Sequence, residues 1–559
     1  MLKKTAHLAI ALGITAGLVS ATGTAAATGH GAGPVVRTDK GTVRGTVTDT
    51  VRVFQGIPYA APPTGERRWA PTAPARRWHG VLDATRPGSA CPQTGSTPPA
   101  GPSSLDEDCL FVNVTTPRTV SAGPRPVMVY LHGGDHTDGS GDMHGARRLA
   151  ARGDVVVVTV NYRLGALGYL AHPDLEGRRR GESGNYGFLD QQAALRWVQR
   201  NAAAFGGDRD NVTLFGESAG AYSTCAHLVA PSSAGLFHRA VLQSGACLST
   251  ANTRERADAL EQGEKAARAI GERVTEDAGA RTGKPADRRT DRRTDRRTDR
   301  RTDRRTDWRT AEPEDLVYDF GRSPYPYGPV YGGRLLPRTP REAFATGEFN
   351  KVPVLQGINR EEGRTGVYGA ELGKKAGTQD PAATLDEADY RARLDEEFGP
   401  EKAAAVAARY PVAAYDGNPA LALGAVLTDS DLARLTVDTG RALSRAVRTY
   451  TYEFADHETP WYADAESYPK PSFPMGAAHT FELPYLFELT EFEPLTDAQR
   501  RLSDSMIRIW SDFARTGEAR WKPTTPAAPN AYSLASGPGG THAVDFAKDH
   551  RYGFWKSLD

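Results

Sequence analysis

The stretch VTLFGESAGAYST, from Val212 to Thr224, decides how this sequence is interpreted. Its first residues are apolar and predict a buried β-strand, while its last residues are small and compatible with a helix. Between them, GESAG matches a nucleophile elbow, in which a strand turns sharply into a helix with a serine at the tip. Gly216 and Gly220 leave room for this tight turn. The pattern predicts a reactive Ser218, but it is common by chance and needs support from elsewhere in the chain.

Apolar runs along the chain predict strands, and several of these runs are apolar on both faces. They lie at 127–131, 155–162, 212–215, 240–243, 352–357 and 448–454. Helical or loop segments separate them, and one amphipathic stretch, 187–204, ends at the glycines of AFGGD. This alternation predicts an α/β fold, with a mainly parallel sheet covered by helices.

Composition excludes some classes of partner. The 559 residues include 69 Lys plus Arg and 68 Asp plus Glu, so no net charge steers the chain toward nucleic acid or an anionic membrane. We therefore expect a small-molecule partner. Length alone would allow three or four domains of about 150 residues, and it fixes neither the domain count nor the oligomeric state.

The N-terminal residues predict a secretory signal peptide over residues 1–27. Lys3 and Lys4 precede an apolar run at 8–19, and the small residues ATGTAAAT follow it. That run is shorter than the roughly 20 residues of a membrane span, and no later segment reaches this length. We expect a mature protein outside the cytosol, where its four cysteines can form disulfides in any of three pairings.

A low-complexity insert occupies about 281–310, where the unit DRRT repeats in tandem from Asp287 and ends in the variant DWRT. The repeats have no apolar face at any period, so we expect a solvated surface loop that belongs to no core. A basic strip that binds polyanions is the alternative. The aspartates within each unit dilute the positive charge and favour the first interpretation.

A serine hydroxyl is a weak nucleophile, so Ser218 requires a base, an acid that orients the base, and donors for the oxyanion. In hydrolases with this elbow the order along the chain is serine, acid, histidine. Upstream of the elbow, VMVYLHGGDHTDGSG combines a predicted strand with the paired glycines Gly133 and Gly134. Backbone amides can approach a ligand closely there, which favours an oxyanion site over a simple glycine turn.

Six further stretches resemble the type-B carboxylesterase/lipase family, which includes cholinesterases and bacterial esterases of the para-nitrobenzyl esterase kind. They are FQGIPYAAPPTGERRW, EDCLFVNVTTP, NYRLGALGYL, GNYGFLDQQAALRWV, AFGGDRDNVTLFGESAGAYS and GLFHRAVLQSG. The resemblance runs from about residue 41 to the C terminus. It implies one α/β-hydrolase domain over 28–559, with a central, mostly parallel sheet flanked by helices and with family-type insertions.

The resemblance also implies roles for individual residues. Ser218 matches the family nucleophile, and Glu362 in VPVLQGINREEG matches the acid, which directly precedes a glycine. The neighbouring Glu361 is the competing candidate. His479 in GAAHTFELPYLF matches the base, whereas His132, just before the paired glycines, is interpreted as structural.

The oxyanion hole corresponds to the amides of Gly134, Asp135 and Ala219. The sequence departs from the family here, because Asp135 and His136 stand where a small residue and an aromatic are usual. The Asp135 carboxylate would oppose a nearby oxyanion unless it pointed away or were neutralised, and His136 is a group that could neutralise it.

The resemblance further implies a disulfide between Cys91 and Cys109, which leaves Cys225–Cys247 as the remaining pair. The loop between Cys91 and Cys109 contains no tryptophan, the residue with which cholinesterases bind a quaternary ammonium group. This argues against choline esters.

The sequence therefore predicts a secreted serine carboxylesterase that hydrolyses esters through an acyl-enzyme, without a metal or organic cofactor. Since no charged anchor is evident, we expect esters of uncharged acids and alcohols. A secreted lipase, and a non-catalytic binding protein on the same fold, are the alternatives.

Overall fold

The computed structural model describes residues 33–95, 102–119, 121–177, 182–250, 253–282, 307–317, 324–464 and 466–559. Over 275–282 it describes only the backbone. Sixteen strands lie within these residues. The predicted signal peptide and most of the DRRT repeats lie outside these residues. In chain order the strands are β1 Val35–Arg37, β2 Thr42–Arg44, β3 Thr46–Val47, β4 Val51–Pro58, β5 Val81–Asp83, β6 Phe111–Pro117, β7 Arg125–Leu131, β8 Val156–Val160, β9 Gly207–Glu217, β10 Arg239–Gln243, β11 Arg254–Glu255, β12 Val330–Tyr331, β13 Val354–Asn359, β14 Thr449–Phe454, β15 Ala531–Leu534 and β16 His542–Val544.

Eleven of these strands form a central sheet in the order β16-β15-β14-β13-β10-β9-β7-β8-β6-β4-β3. All pairs from β15 to β8 are parallel, and antiparallel strands complete both edges. The other strands form two small sheets, β1-β2-β5 and β11-β12. The predicted α/β-hydrolase class, with a mostly parallel central sheet, is confirmed.

Each apolar run that predicted a strand coincides with one of the strands β7, β8, β9, β10, β13 and β14. The two faces of β7 explain why these runs do not alternate. Val127, Val129 and Leu131 pack into one apolar cluster. Met128 and Tyr130, which point the other way, pack into a second. The sheet is thus buried on both faces, as in other parallel sheets.

The described residues also contain fourteen α-helices. They are α1 Arg147–Gly153, α2 Gly165–Tyr169, α3 Tyr186–Asn201, α4 Ala219–Val229, α5 Arg256–Thr282, α6 Pro313–Leu316, α7 Pro340–Thr346, α8 Arg364–Thr378, α9 Glu387–Arg409, α10 Pro419–Thr428, α11 Arg434–Leu443, α12 Asp497–Thr516, α13 Phe546–Asp549 and α14 Tyr552–Ser557. A π-helical turn, Asp429–Ala433, joins α10 to α11.

The amphipathic stretch 187–204 forms α3 and the 3₁₀ turn Ala202–Phe205 that follows it. The turn ends at Gly206, whose φ of 85° lies in the left-handed region that glycine adopts readily. The prediction of a helix stopped by glycine is confirmed.

The end of the predicted insert belongs to the core, so the expectation that the whole repeat segment is solvated is wrong at this end. Residues up to Thr282 continue α5, and the final unit DWRT forms a 3₁₀ turn over Trp308–Thr310. Trp308 is 8% exposed and meets Trp69 edge to face with ring centroids 5.1 Å apart. The physical reason is the single change from Arg to Trp, which gives this unit an apolar side chain to bury.

Two disulfides are present, Cys91–Cys109 and Cys225–Cys247, with Cα–Cα distances of 4.9 and 5.3 Å. The first joins the segment after β5 to the residues just before β6, and the second ties α4 to the segment after β10. Within the described residues, no helix has the combined length and apolar character that crossing a membrane requires.

Candidate active site

Ser218 lies at a sharp turn between β9 and α4, at the carboxyl end of the parallel strands. Its φ of 53° and ψ of −122° are strained for a residue with a side chain. The flanking glycines make the turn possible, since a Cβ on Gly220 would lie 1.9 Å from the Leu131 carbonyl oxygen. A Cβ on Gly216 would lie 2.5 Å from the Gly220 backbone. The steric reason predicted for both glycines is thus present in the structure.

The parallel strands bring the other predicted residues to the same edge of the sheet. Glu362 follows β13, which is separated from β9 by β10 alone, and His479 lies on the long segment after β14. Ser218, Glu362, His479, Asp135 and Ala219 all line one cavity of about 630 Å³. Residues more than 100 positions apart in sequence therefore meet because parallel strands end at one edge.

Glu362 and His479 are joined directly. His479 Nδ1 donates to Glu362 Oε2 at 2.6 Å, and Glu362 Oε1 accepts from the backbone amide of Asn359 at 2.8 Å. The second bond fixes the carboxylate, so the imidazole has a defined orientation. With its proton on Nδ1, His479 presents Nε2 as the basic nitrogen.

Glu361, the competing candidate, points elsewhere. Its Oε2 accepts from the Ala477 amide at 2.8 Å, and its Oε1 lies 3.4 Å from Nδ1 of His457. The Glu361 amide also donates to the Ala477 carbonyl. Glu361 thereby binds the segment just before His479 but does not contact the His479 imidazole.

Two buried glutamates that the sequence interpretation missed surround the same imidazole. Glu217 Oε1 lies 3.3 Å from His479 Nε2, and Glu482 accepts from the side chains of Gln243 and Asn359. Glu217 is the second residue of GESAG, and a charged residue at the end of an apolar strand was a signal that could have identified it. Among the described residues no hydrogen bond joins Ser218 to His479. Such bonds are often long until substrate binds.

The charge around His479 sets its protonation. Burial alone would lower the pKa of this histidine, but Glu362, Glu217 and Glu482 together raise it to about 10. The imidazole is a base only when neutral, so a raised pKa shifts activity to higher pH.

We accordingly expect kcat/KM for a neutral p-nitrophenyl ester to rise with pH, with the midpoint of its acid limb above 6.5, the ordinary histidine value. Below that midpoint the rate should fall about tenfold for each pH unit. The measurement is a pH profile of kcat/KM corrected for spontaneous hydrolysis. A midpoint at or below 6.5 would contradict the electrostatic interpretation.

The predicted oxyanion loop lies beside the nucleophile. A Cβ on Gly133 would lie 3.1 Å from Cβ of Ser218, and Gly134 adopts a φ of 98°. In the described residues, the amides of Gly134, Asp135 and Ala219 donate to no protein acceptor. Unpaired amides next to a strained serine are what an oxyanion hole requires.

His136 does not neutralise Asp135, and that expectation is wrong. His136 is buried, its Nε2 lies 3.0 Å from the Ser223 hydroxyl, and burial together with Arg254 lowers its pKa to about 3. A neutral imidazole carries no charge to offset a carboxylate. Burial raises the pKa of the Asp135 carboxyl, and the positive charge of Arg254 lowers it in part. His132 is also buried and stacks on Tyr162 with ring centroids 4.4 Å apart.

Comparison with known proteins links this chain to ester hydrolases. The sequence model of the carboxylesterase family matches residues 32–555. Para-nitrobenzyl esterase of Bacillus subtilis strain 168 is 33% identical over 504 residues, covering 86% of this chain and 90% of that protein. Fumonisin B1 esterase of Sphingopyxis macrogoltabida is 34% identical over 504 residues, covering 86% and 82%. A solved structure of PNB esterase superposes with a TM-score of 0.68 at 29% identity, covering 93% of this chain and 99% of that one.

Proposed function

Because this chain belongs to the carboxylesterase family of ester hydrolases, we propose that it cleaves esters through an acyl-enzyme on Ser218. In this proposal His479 is the general base and Glu362 orients it. The observation that carries it is the 2.6 Å bond between His479 and Glu362 at the cavity that Ser218 also lines.

In the acylation half, Nε2 of His479 takes the proton of the Ser218 hydroxyl while the oxygen attacks the ester carbonyl. The amides of Gly134, Asp135 and Ala219 donate to the oxyanion that forms. The imidazolium then returns its proton to the departing alcohol, and the acyl group remains on Ser218. Glu362 stabilises the imidazolium throughout because it accepts the Nδ1 proton.

In the deacylation half, water occupies the place of the departed alcohol and loses a proton to the same nitrogen. The resulting hydroxide attacks the acyl carbonyl, and the carboxylic acid leaves as Ser218 recovers its proton. This sequence needs only the protein's own groups and water.

A panel of p-nitrophenyl esters of short and long acids tests the substrate class. We expect the soluble short- and medium-chain esters to be hydrolysed faster than emulsified long-chain esters, as for a carboxylesterase. A strong preference for the emulsified long chains would instead indicate a lipase. No turnover of any ester would favour the non-catalytic alternative.

We also propose that the protein is secreted after cleavage of its first 27 residues. Two disulfides, which persist in oxidising compartments, support this location. N-terminal sequencing of protein from the culture medium should begin near Thr28. An intact N terminus on a cytosolic protein would contradict the proposal.

A further inference from the structure

The cavity that Ser218 lines is rich in charged side chains, although the whole sequence is nearly neutral. Four carboxylates line it, those of Asp135, Glu362, Glu397 and Asp431, together with three basic groups, those of Arg341, Arg434 and His479. With His479 protonated, four acidic groups face three basic ones, so the excess of negative charge over the whole cavity is small. The effect on a bound ligand therefore depends on which of these charges lies nearest to it and lacks a close partner.

Asp135 is the carboxylate best placed to act on a bound ester. In the proposed mechanism its own backbone amide donates to the oxyanion, so the side chain belongs to a residue that contacts the reacting carbonyl. In the segment 133–140, Asp135 is the exposed residue, while its neighbours are half-buried or buried. Burial nevertheless raises the pKa of this carboxyl. A side chain that is accessible and yet poorly hydrated projects into a recess rather than into open solvent.

The charge of Asp135 is not cancelled by a close partner. In the described part of the chain, no lysine, arginine or histidine nitrogen lies within 4.0 Å of its carboxylate. Arg254 lowers the pKa of Asp135 from a greater distance, and His136 is neutral. By contrast, Glu397 pairs with Arg393 at 2.6 Å.

We propose that Asp135 is a specificity-determining residue that favours esters bearing a positive charge near the scissile carbonyl and disfavours esters bearing a negative charge there. The proposal rests on the proposed function, because Asp135 acts at the ester site built around Ser218. It replaces the sequence-based expectation of uncharged substrates. The chemical class is an ester with an ammonium group on its alcohol or acyl part, attracted by charge without an aromatic cage.

Two pairs of isosteric esters test this proposal at pH 8. The first pair is a choline ester and the 3,3-dimethylbutyl ester of the same acid, which differ only by N⁺ and C. The second pair places the same charge difference on the acyl group of a p-nitrophenyl ester. The readout is the ratio of kcat/KM for the charged ester to that for its neutral isostere, measured for wild type and variants.

We expect Asp135→Asn to lower this ratio about tenfold in at least one pair, since a charge interaction across a partly hydrated cavity is of that order. Asparagine tolerates the φ of 52° at this position. Glycine also adopts this backbone conformation, so Asp135→Gly should fold and should lower the ratio similarly. It tests the proposal independently if Asp135→Asn fails to fold. The matched control is Glu397→Gln, which removes an already paired cavity carboxylate and should change the ratio by less than about twofold.

An unchanged ratio for both Asp135 variants in both ester pairs would overturn the proposal. So would a wild-type enzyme that prefers the neutral isosteres in both pairs. A failure of the proposed function would give another result, because hydrolysis of the neutral esters would then not depend on Ser218. Hydrolysis of neutral esters through Ser218 with no change in the ratio would refute the role of Asp135 alone.

Discussion

Replacing Ser218 with alanine is expected to lower kcat/KM for p-nitrophenyl esters by at least about 10,000-fold, because the variant lacks the oxygen that accepts the acyl group. The remaining rate would come from the oxyanion donors and from binding alone. The measurement is steady-state hydrolysis of a short-chain ester, with circular dichroism to check folding.

Thr250→Ala is a matched control for this substitution. Thr250 also carries a hydroxyl and lines the same cavity, but it has no role in the proposed mechanism. We expect it to retain activity within about threefold of wild type. Ester hydrolysis that survives in Ser218→Ala would remove the serine mechanism.

Replacing Glu362 with glutamine should lower kcat by about 1,000- to 10,000-fold, the second largest effect that we expect. The amide cannot stabilise the imidazolium as a carboxylate does, and it can hold the imidazole in the wrong tautomer. The effect should appear in kcat more than in KM, because Glu362 acts in the transition state.

The adjacent Glu361 supplies the control for Glu362. Glu361→Gln keeps an oxygen that can accept from the Ala477 amide, so the segment before His479 stays in place. We expect a loss below about tenfold. If Glu361→Gln were the more damaging substitution, the assignment of Glu362 as the acid would be wrong.

The sequence was sufficient to predict the strands that carry the site, because each is an apolar run ended by turn residues. The elbow was also predictable, since the spacing of its two glycines around the serine indicates a turn too tight for side chains at those positions. Glu362 and His479, in contrast, were identified through family resemblance. No local pattern indicates that residues 117 positions apart form a 2.6 Å hydrogen bond.

Long-range contacts explain what the sequence interpretation missed. Glu217 approaches His479 only because the end of β9 and the segment after β14 meet at the sheet edge. Glu482 lies three residues after His479, and distant side chains, those of Gln243 and Asn359, donate to its carboxylate. His136 could not be seen as neutral until its burial was known. Trp308 belonged to a repeat whose other units lack apolar side chains, and its partner Trp69 is far away in sequence.

The acyl-enzyme on Ser218 can be tested by identifying the residue that carries the acyl group. The protein would be treated with an organophosphate that forms a stable adduct with a reactive serine, then digested and analysed by tandem mass spectrometry. We expect one adduct, on Ser218, with activity lost in proportion to labelling. An adduct on another residue that accompanies the loss of activity would contradict the assignment of Ser218.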